Sequence, residues 1–419
     1  MKELVTRKLK SSLNYIKTFL KWGIISIIVG LAGGAVGTAF HKSVDAVTDV
    51  RTQNGWLVFL LPLGGLLIVA MYKLCRVSTG IGTNRVIESV RTDKRVPILM
   101  APLIFLSTVI THLFGGSAGR EGAALQLGGS IGYQFGKIFR LDEKDMHLIV
   151  MLGMSGVFAA LFGTPLTATF FALEVISVGV IYYAGLVPCL ISSLVAYELA
   201  RLCGTAPVHF DNVAFQPISI KLTASVVILG LLCAVVSIAF CTSIKKCELY
   251  AEKYIKNDYF RALTGGLIIV ALTLILRTGD YNGAGMNIIS SAISGTAKPE
   301  AFILKIIFTV VTISAGFKGG EIVPTFFIGS TFGCVAASFL GINPGFGAAL
   351  GMIAMFCGVV NCPVASIMLA LEVFGSEAIL MFAVICGVSY MMSGYYGLYS
   401  SQKIMYSKLE AKFININAK

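Results

Sequence analysis

Apolar runs occupy residues 22–40, 56–72, 96–114, 146–162, 164–200, 218–242, 262–276, 301–314, 322–340, 346–360, 362–374 and 377–392. A helix needs about 20 apolar residues to cross a bilayer, and in lipid each backbone polar group must find its partner inside the protein. A chain patterned this way folds as an all-α integral membrane protein. Charged residues make up 13% of the 419 positions and hydrophobic ones 56%, whereas a soluble domain carries about 25% charged residues. The length allows about ten spans plus shorter pieces and leaves no room for a soluble domain. The run at 164–200 is long enough for two helices, broken near Gly185 to Pro188.

The net charge is +12. In a soluble protein that excess would suggest nucleic acid, but here the basic residues gather outside the apolar runs. Residues 1–21 carry Lys2, Arg7, Lys8, Lys10, Lys17 and Lys21 against Glu3, and the tail carries Lys403, Lys408, Lys412 and Lys419 against Glu410. Basic ends stay on the cytoplasmic side, so both termini are expected in the cytoplasm, the crossings to be even in number and the host to be the plasma (inner) membrane. No nucleic-acid partner is implied. The basic start leads into a long apolar run without an A-x-A site, which reads as a retained span and not a signal peptide. The ten cysteines form no CxxC pair, and with four histidines they show no metal-ligand spacing, so no metal or cofactor is expected.

Polar landmarks recur at a shift of about 200 residues. Ser117-Ala118-Gly119 leads through Glu121 to Gly129-Ser130, and Ser314-Ala315-Gly316 leads through Glu321 to Gly329-Ser330. Pro165 precedes Leu173-Glu174-Val175 as Pro363 precedes Leu371-Glu372-Val373. The longest internal polar interval, 243–261, is expected to join two halves. The division is then a basic segment 1–21, a first membrane repeat 22–242, a linker 243–261, a second repeat 262–402 and a tail 403–419. In duplicated transporters the ion site lies where the repeats meet.

The two Gly-rich breaks carry the chemistry. Gly115-Gly116-Ser117-Ala118-Gly119-Arg120-Glu121-Gly122 places a guanidinium and a carboxylate inside an apolar stretch, where ionisable groups are costly and mark function. A break followed by a helix start offers free N–H groups and a positive dipole end to an anion. Glu121 can occupy the same place, so a proton on it would act as a gate. The structural alternative is a buried Arg120–Glu121 pair. Gly316-Phe317-Lys318-Gly319-Gly320-Glu321-Ile322-Val323-Pro324 repeats the design, with Pro324 suited to a first helical turn. Glu321 beside an anion path must be protonated, pair with Lys318 at i, i+3, or carry protons.

Together, Gly119-Arg120-Glu121-Gly122, the Gly320-x-x-x-Pro324 segment, the two Pro to Leu-Glu-Val stretches and Leu398-Tyr399-Ser400 resemble the CLC family of anion channels and proton-coupled anion exchangers over residues 75–402. The resemblance implies a homodimer of inverted-repeat subunits with broken and re-entrant helices, each subunit holding its own pore. It implies that Glu121 is the gating glutamate, that Tyr399 offers its hydroxyl to the anion, and that Gly119, Arg120, Gly122, Gly320, Ile322 and Val323 form the backbone cradle. Glu321 resembles the extra glutamate of the fluoride/proton antiporter branch. So do Asn361 before Cys362-Pro363 and Val175, where ordinary exchangers carry an inner proton-transfer glutamate. The family's first anion-binding segment fits either Ser78-Thr79-Gly80-Ile81-Gly82 or Gly82-Thr83-Asn84-Arg85-Val86; the second, which begins with glycine, makes Thr83 and Asn84 the ligands.

Fluoride holds its water tightly, so a site must replace that water with dense hydrogen-bond donors. Helix-start amides, Thr83, Asn84 and Tyr399 are such donors, and protonated Glu121 would be another. The implied function is proton-coupled fluoride export, with fluoride (or chloride), protons and the lipid bilayer as partners and no enzymatic activity. A chloride-selective exchanger or a passive anion channel is the alternative. Lys318 can tune Glu321, Phe326 and Phe327 are pore-wall candidates, and Glu174 and Glu372 read as internal polar anchors. A remote reading is an intramembrane serine protease, because Gly115-Gly116-Ser117-Ala118-Gly119 satisfies G-x-S-x-G and Gly153-Met154-Ser155-Gly156 resembles GxSG. Both are short patterns in a chain with 45 glycines, and the only histidine after Ser155 is His209.

Overall fold

In the computed structural model the apolar runs become helices whose lengths follow the sequence breaks; it describes residues 2–92, 94–210 and 213–419, with side chains from Ser12 onward. The first eight α-helices are α1 (Lys2–Gln53), α2 (Leu61–Leu74), α3 (Thr83–Ser89), α4 (Met100–Leu113), α5 (Glu121–Ile138), α6 (Glu143–Phe162), α7 (Pro165–Glu174) and α8 (Leu186–Leu202). Eight more follow: α9 (Ile220–Tyr254), α10 (Asp258–Leu276), α11 (Met286–Ile293), α12 (Ala301–Ser314), α13 (Ile322–Leu340), α14 (Pro344–Val360), α15 (Pro363–Phe374) and α16 (Ile379–Met392). Among the described residues seven helical segments are long and apolar enough to cross a bilayer. The others are shorter, and α3 and α11 have only 7 and 8 residues.

The second eight helices repeat the first in order, and α4 and α12 both have 14 residues. Most of the interval 243–261 is itself helical. Helix α9 runs on to Tyr254 and α10 begins at Asp258. The Lys and Glu of that interval are good helix formers and simply prolong the helices beyond their apolar part. The break in 164–200 is also wider than expected, from Val175 to Gly185, and contains strand β1 (Ser177–Val178). That strand pairs in parallel with β2 (Lys403–Tyr406), which pairs antiparallel with β3 (Phe413–Asn417). The helical fold thus carries a small sheet, and the tail is folded rather than loose.

Glycines let the central helices touch backbone to backbone. Where α5 crosses α6, a Cβ on Gly128 would lie 2.2 Å from the Gly153 carbonyl oxygen, and one on Gly153 would lie 2.0 Å from that of Gly128. Where α13 crosses α14, a Cβ on Gly333 would be 2.2 Å from the Gly347 oxygen and one on Gly351 2.3 Å from the Gly329 oxygen. Small residues permit such close approach between membrane helices.

Two carboxylates tie the halves together. Glu174, at the end of α7, accepts from the N–H groups of Val364 (3.2 Å) and Ala365 (3.0 Å) in the first turn of α15. Glu372 returns the contact, accepting from the N–H groups of Leu166 and Thr167 (both 2.8 Å) and from the Thr167 hydroxyl (2.6 Å) at the start of α7. First-turn N–H groups have no partner within their own helix, so each half caps the other. Replacing Glu372 with Ala strands three donors and is expected to cost about 2 kcal/mol or more. Heat denaturation in detergent should show a lowered melting temperature, with Glu372→Gln intermediate; an unchanged melting temperature for the Ala variant would contradict the anchoring role.

Candidate functional site: a carboxylate between two helix starts

At the centre the two Gly-rich breaks meet as a short antiparallel bridge. The Gly119 N–H donates to the Gly320 carbonyl and the Gly320 N–H to that of Gly119, each over 2.6 Å. Helix α5 begins just past one glycine and α13 just past the other. Two positive helix ends therefore converge on one place. Glu121 fills it: Oε2 accepts from the backbone N–H groups of Arg120 (2.9 Å) and Val323 (3.2 Å), one from each half. The side chain is wholly buried and Oε1 has no hydrogen-bond partner. A Cβ at position 119 would sit 2.4 Å from Glu121 Oε2, so a side chain there would push the carboxylate out of this seat.

Gly119 and Gly320 spend their amides on each other, because the two breaks run antiparallel and in register. Arg120 and Val323 supply the donors, while Ile322 is buried in the first turn of α13. The Arg120–Glu121 pair is not formed. The Arg120 guanidinium pairs instead with Asp45 at 2.7 Å, and Asp45 also meets His41 at 2.9 Å. Glu321 lies alongside, with a buried Oε2 that has no partner, 3.1 Å from where a Cβ on Gly122 would be. The i, i+3 pair with Lys318 is not made either. The Lys318 ammonium donates to the Thr79 carbonyl and lies 5.2 Å from the centre of the Tyr72 ring.

Geometry also separates the two registers of the first segment. Thr83 opens α3, is buried, and its hydroxyl donates to the Gly122 carbonyl at 3.3 Å. Thr79 turns elsewhere, donating to Asp258 at 3.2 Å. Asn84 Oδ1 accepts from the Ser401 N–H at 3.0 Å, which fastens the Tyr399 segment to the start of α3. The Tyr399 hydroxyl is buried without a partner. Asn361 has a packing role: it ends α14 at φ 58°, a backbone region Asn tolerates. Its side-chain amide donates to the Tyr396 carbonyl and to Gln402 Oε1, and its oxygen accepts from Lys408.

Phe326 and Phe327 point to different surroundings. Phe326 packs against Phe162 and Phe356 with ring centres 6.2 and 5.5 Å away. It lines a cavity of about 20 Å³ together with Arg120, Glu121 and Val323, a space for one water-sized particle. Phe327 faces Tyr281 and Lys305. A second cavity of about 950 Å³ shares Arg120, Met286 and Val323 with the small one. Glu121 lines only the smaller of the two. Sequence reasoning missed Gln126, a buried amide that donates to Thr83 Oγ1 at 3.2 Å. Its signal was a polar residue five places after Glu121 in an otherwise apolar turn. Neither serine pattern meets a base: Ser155 donates to the carbonyls of Leu152 and Cys189, and Ser117 meets the Thr309 hydroxyl.

Broken helices and a carboxylate seated on backbone amides from two repeats define a multi-pass membrane protein with an anion-attracting site at its centre. The sequence profile described as voltage gated chloride channel matches residues 64–394, and the chain belongs to this CLC family. A chloride/fluoride channel protein of Pseudomonas syringae pv. tomato is 33% identical over 403 residues, 94% of this chain and 89% of the relative. An H(+)/Cl(-) exchange transporter ClcA of Vibrio campbellii is 26% identical, over 83% of this chain and 81% of its own. Among solved structures, a CLC-type fluoride/proton antiporter superposes with a TM-score of 0.88 at 32% identity, covering 92% of this chain and 98% of the other. A slow cyanobacterial Cl-/H+ antiporter shares the fold with a TM-score of 0.77 at 21% identity, over 89% and 94%.

Proposed function

We propose that this protein is a proton-coupled fluoride exporter. The observation that carries the reading is the Glu121 carboxylate held by one N–H from each repeat, with a second carboxyl, Glu321, packed against the neighbouring Gly122. An ionised Glu121 is itself the anion that two helix starts attract, and it blocks the site. Protonation removes that charge, the side chain withdraws, and a fluoride ion takes its place on the Arg120 and Val323 amides. The carboxylic O–H of Glu121 then becomes a further donor to fluoride. Because Glu121 returns only after giving up its proton, anion and proton move in opposite directions. Val175 offers no carboxyl next to Glu174, which itself is engaged in capping α15. Glu321 is the remaining carboxyl beside the site and takes the role of second proton carrier.

Thr83, Asn84 and Tyr399 border the ion's route on the side of α3, and Phe326 borders it on the side of the small cavity. Lys318 acts on Glu321 through its charge alone. The two relatives whose names include fluoride, at 33% and 32% identity, support the choice of ion. The exchange transporter at 26% identity favours chloride/proton exchange as a second reading, with passive anion flow as a third. The protein acts in the plasma (inner) membrane as a homodimer with both termini in the cytoplasm and performs no enzymatic reaction.

The test is efflux from protein-loaded liposomes, read by fluoride and chloride electrodes side by side under an imposed proton gradient. Fluoride movement that drives protons uphill is expected. Equal chloride flux would overturn the assignment of the ion, and fluoride flux indifferent to the proton gradient would overturn antiport.

A further inference from the structure

Four buried polar atoms in this region lack a hydrogen-bond partner: Glu121 Oε1, Glu321 Oε2, the Tyr399 hydroxyl and Gln126 Oε1. The first three belong to residues already given roles. Gln126 sits on α5 one turn beyond Gly122 and is 5% exposed. Its Nε2 donates to Thr83 Oγ1 (3.2 Å), and the Thr83 hydroxyl donates onward to the Gly122 carbonyl (3.3 Å). That same Gly122 packs on the Glu321 carboxyl. The amide is thus linked through Thr83 and Gly122 to the site, with its oxygen unpaired.

An amide presents an acceptor and a donor of nearly equal shape. If it turns over by half a rotation, the Thr83 hydroxyl can donate to Gln126 Oε1, and the Nε2 group then takes the unpaired position. Gly122 loses little, because its carbonyl still accepts the Gln126 backbone N–H within α5 by the i to i−4 pattern of the helix. One orientation offers an acceptor to a protonated group, and the other offers a donor to an anion.

We propose that Gln126 is a further anion ligand of the transport site, an amide that turns over with the Thr83 hydroxyl so that it accepts from a proton carrier and donates to fluoride in alternation. This rests on the function proposed above and adds to it a residue that favours a small, strongly hydrogen-bonding ion.

The experiment compares wild type, Gln126→Met and Gln126→Asn in liposomes by fluoride efflux, with fluoride binding by titration calorimetry in detergent. Met fills the volume without an amide, and Asn keeps the amide while leaving a small void. Loss of one hydrogen bond to an ion corresponds to a fall of about tenfold, so Met is expected to lose about that much fluoride flux and affinity while Asn retains more than Met. A packing role gives the opposite order. Met performing better than Asn, or both matching wild type, overturns the proposal. If wild type carries chloride and not fluoride, the fluoride reading fails on its own, and the same ranking is read on chloride flux and binding: Asn above Met sustains the ligand role, and any other order overturns it.

Discussion

Glu121→Gln is expected to lose coupled proton movement by at least about 100-fold, in keeping with the size of proton-transfer contributions at positioned carboxyls. Gln has nearly the shape of Glu and keeps an oxygen for the Arg120 and Val323 amides, so the site remains folded. It cannot take up or release a proton, and the step that frees the site for fluoride is lost. Glu121→Ala removes the plug altogether and is expected to leave anion flow that ignores the proton gradient. Proton uptake coupled to fluoride efflux and surviving in the Gln variant would sink the gating role of Glu121.

The second large effect belongs to a residue with no side chain. A Cβ on Gly320 would fall 2.5 Å from the Gly122 nitrogen and 2.7 Å from the Glu121 nitrogen. Both are backbone atoms in the first turn of α5 and cannot rotate away, so Gly320→Ala must push the two breaks apart and disrupt the pair of 2.6 Å bonds between Gly119 and Gly320. Misplacement of about 1 Å costs on the order of 100-fold in rate at a positioned site, and fluoride flux is expected to fall by at least that much. Gly387→Ala is the matching control, because position 387 lies within α16 and a Cβ there meets nothing within 4 Å. Ala in an unobstructed helix position stabilises by about 0.4–1 kcal/mol, so this variant should transport as wild type and melt no lower. Normal flux in the Gly320→Ala variant would show that the bridge is dispensable.

Much of the architecture was legible in the sequence. Apolar runs and Gly-rich breaks placed the starts of α5 and α13 because a membrane leaves the backbone few ways to satisfy itself. Glu174 and Glu372 were readable as anchors because two carboxyls at equal places in two repeats need partners of equal kind. The helical character of 243–261 was hidden for a related reason: charge marks where a helix leaves the apolar zone, and a helix of Lys and Glu can continue well past that point. The partners of Arg120 and Lys318 were also out of reach. Sequence neighbours offered Glu121 and Glu321, but the folded chain brought Asp45 to one and the Thr79 carbonyl with the Tyr72 ring to the other.

The sequence by itself determined a duplicated helical membrane protein with one carboxylate at each break, because hydrophobicity, glycine and proline act locally and their patterns survive in one dimension. Only the tertiary structure decided which atoms meet. It joined the amides of Gly119 and Gly320 to each other, gave Glu121 a donor from each half, and set Gln126 against Thr83. Those contacts span up to about 200 residues of chain, and they depend on distances of a few tenths of an ångström that no local pattern records.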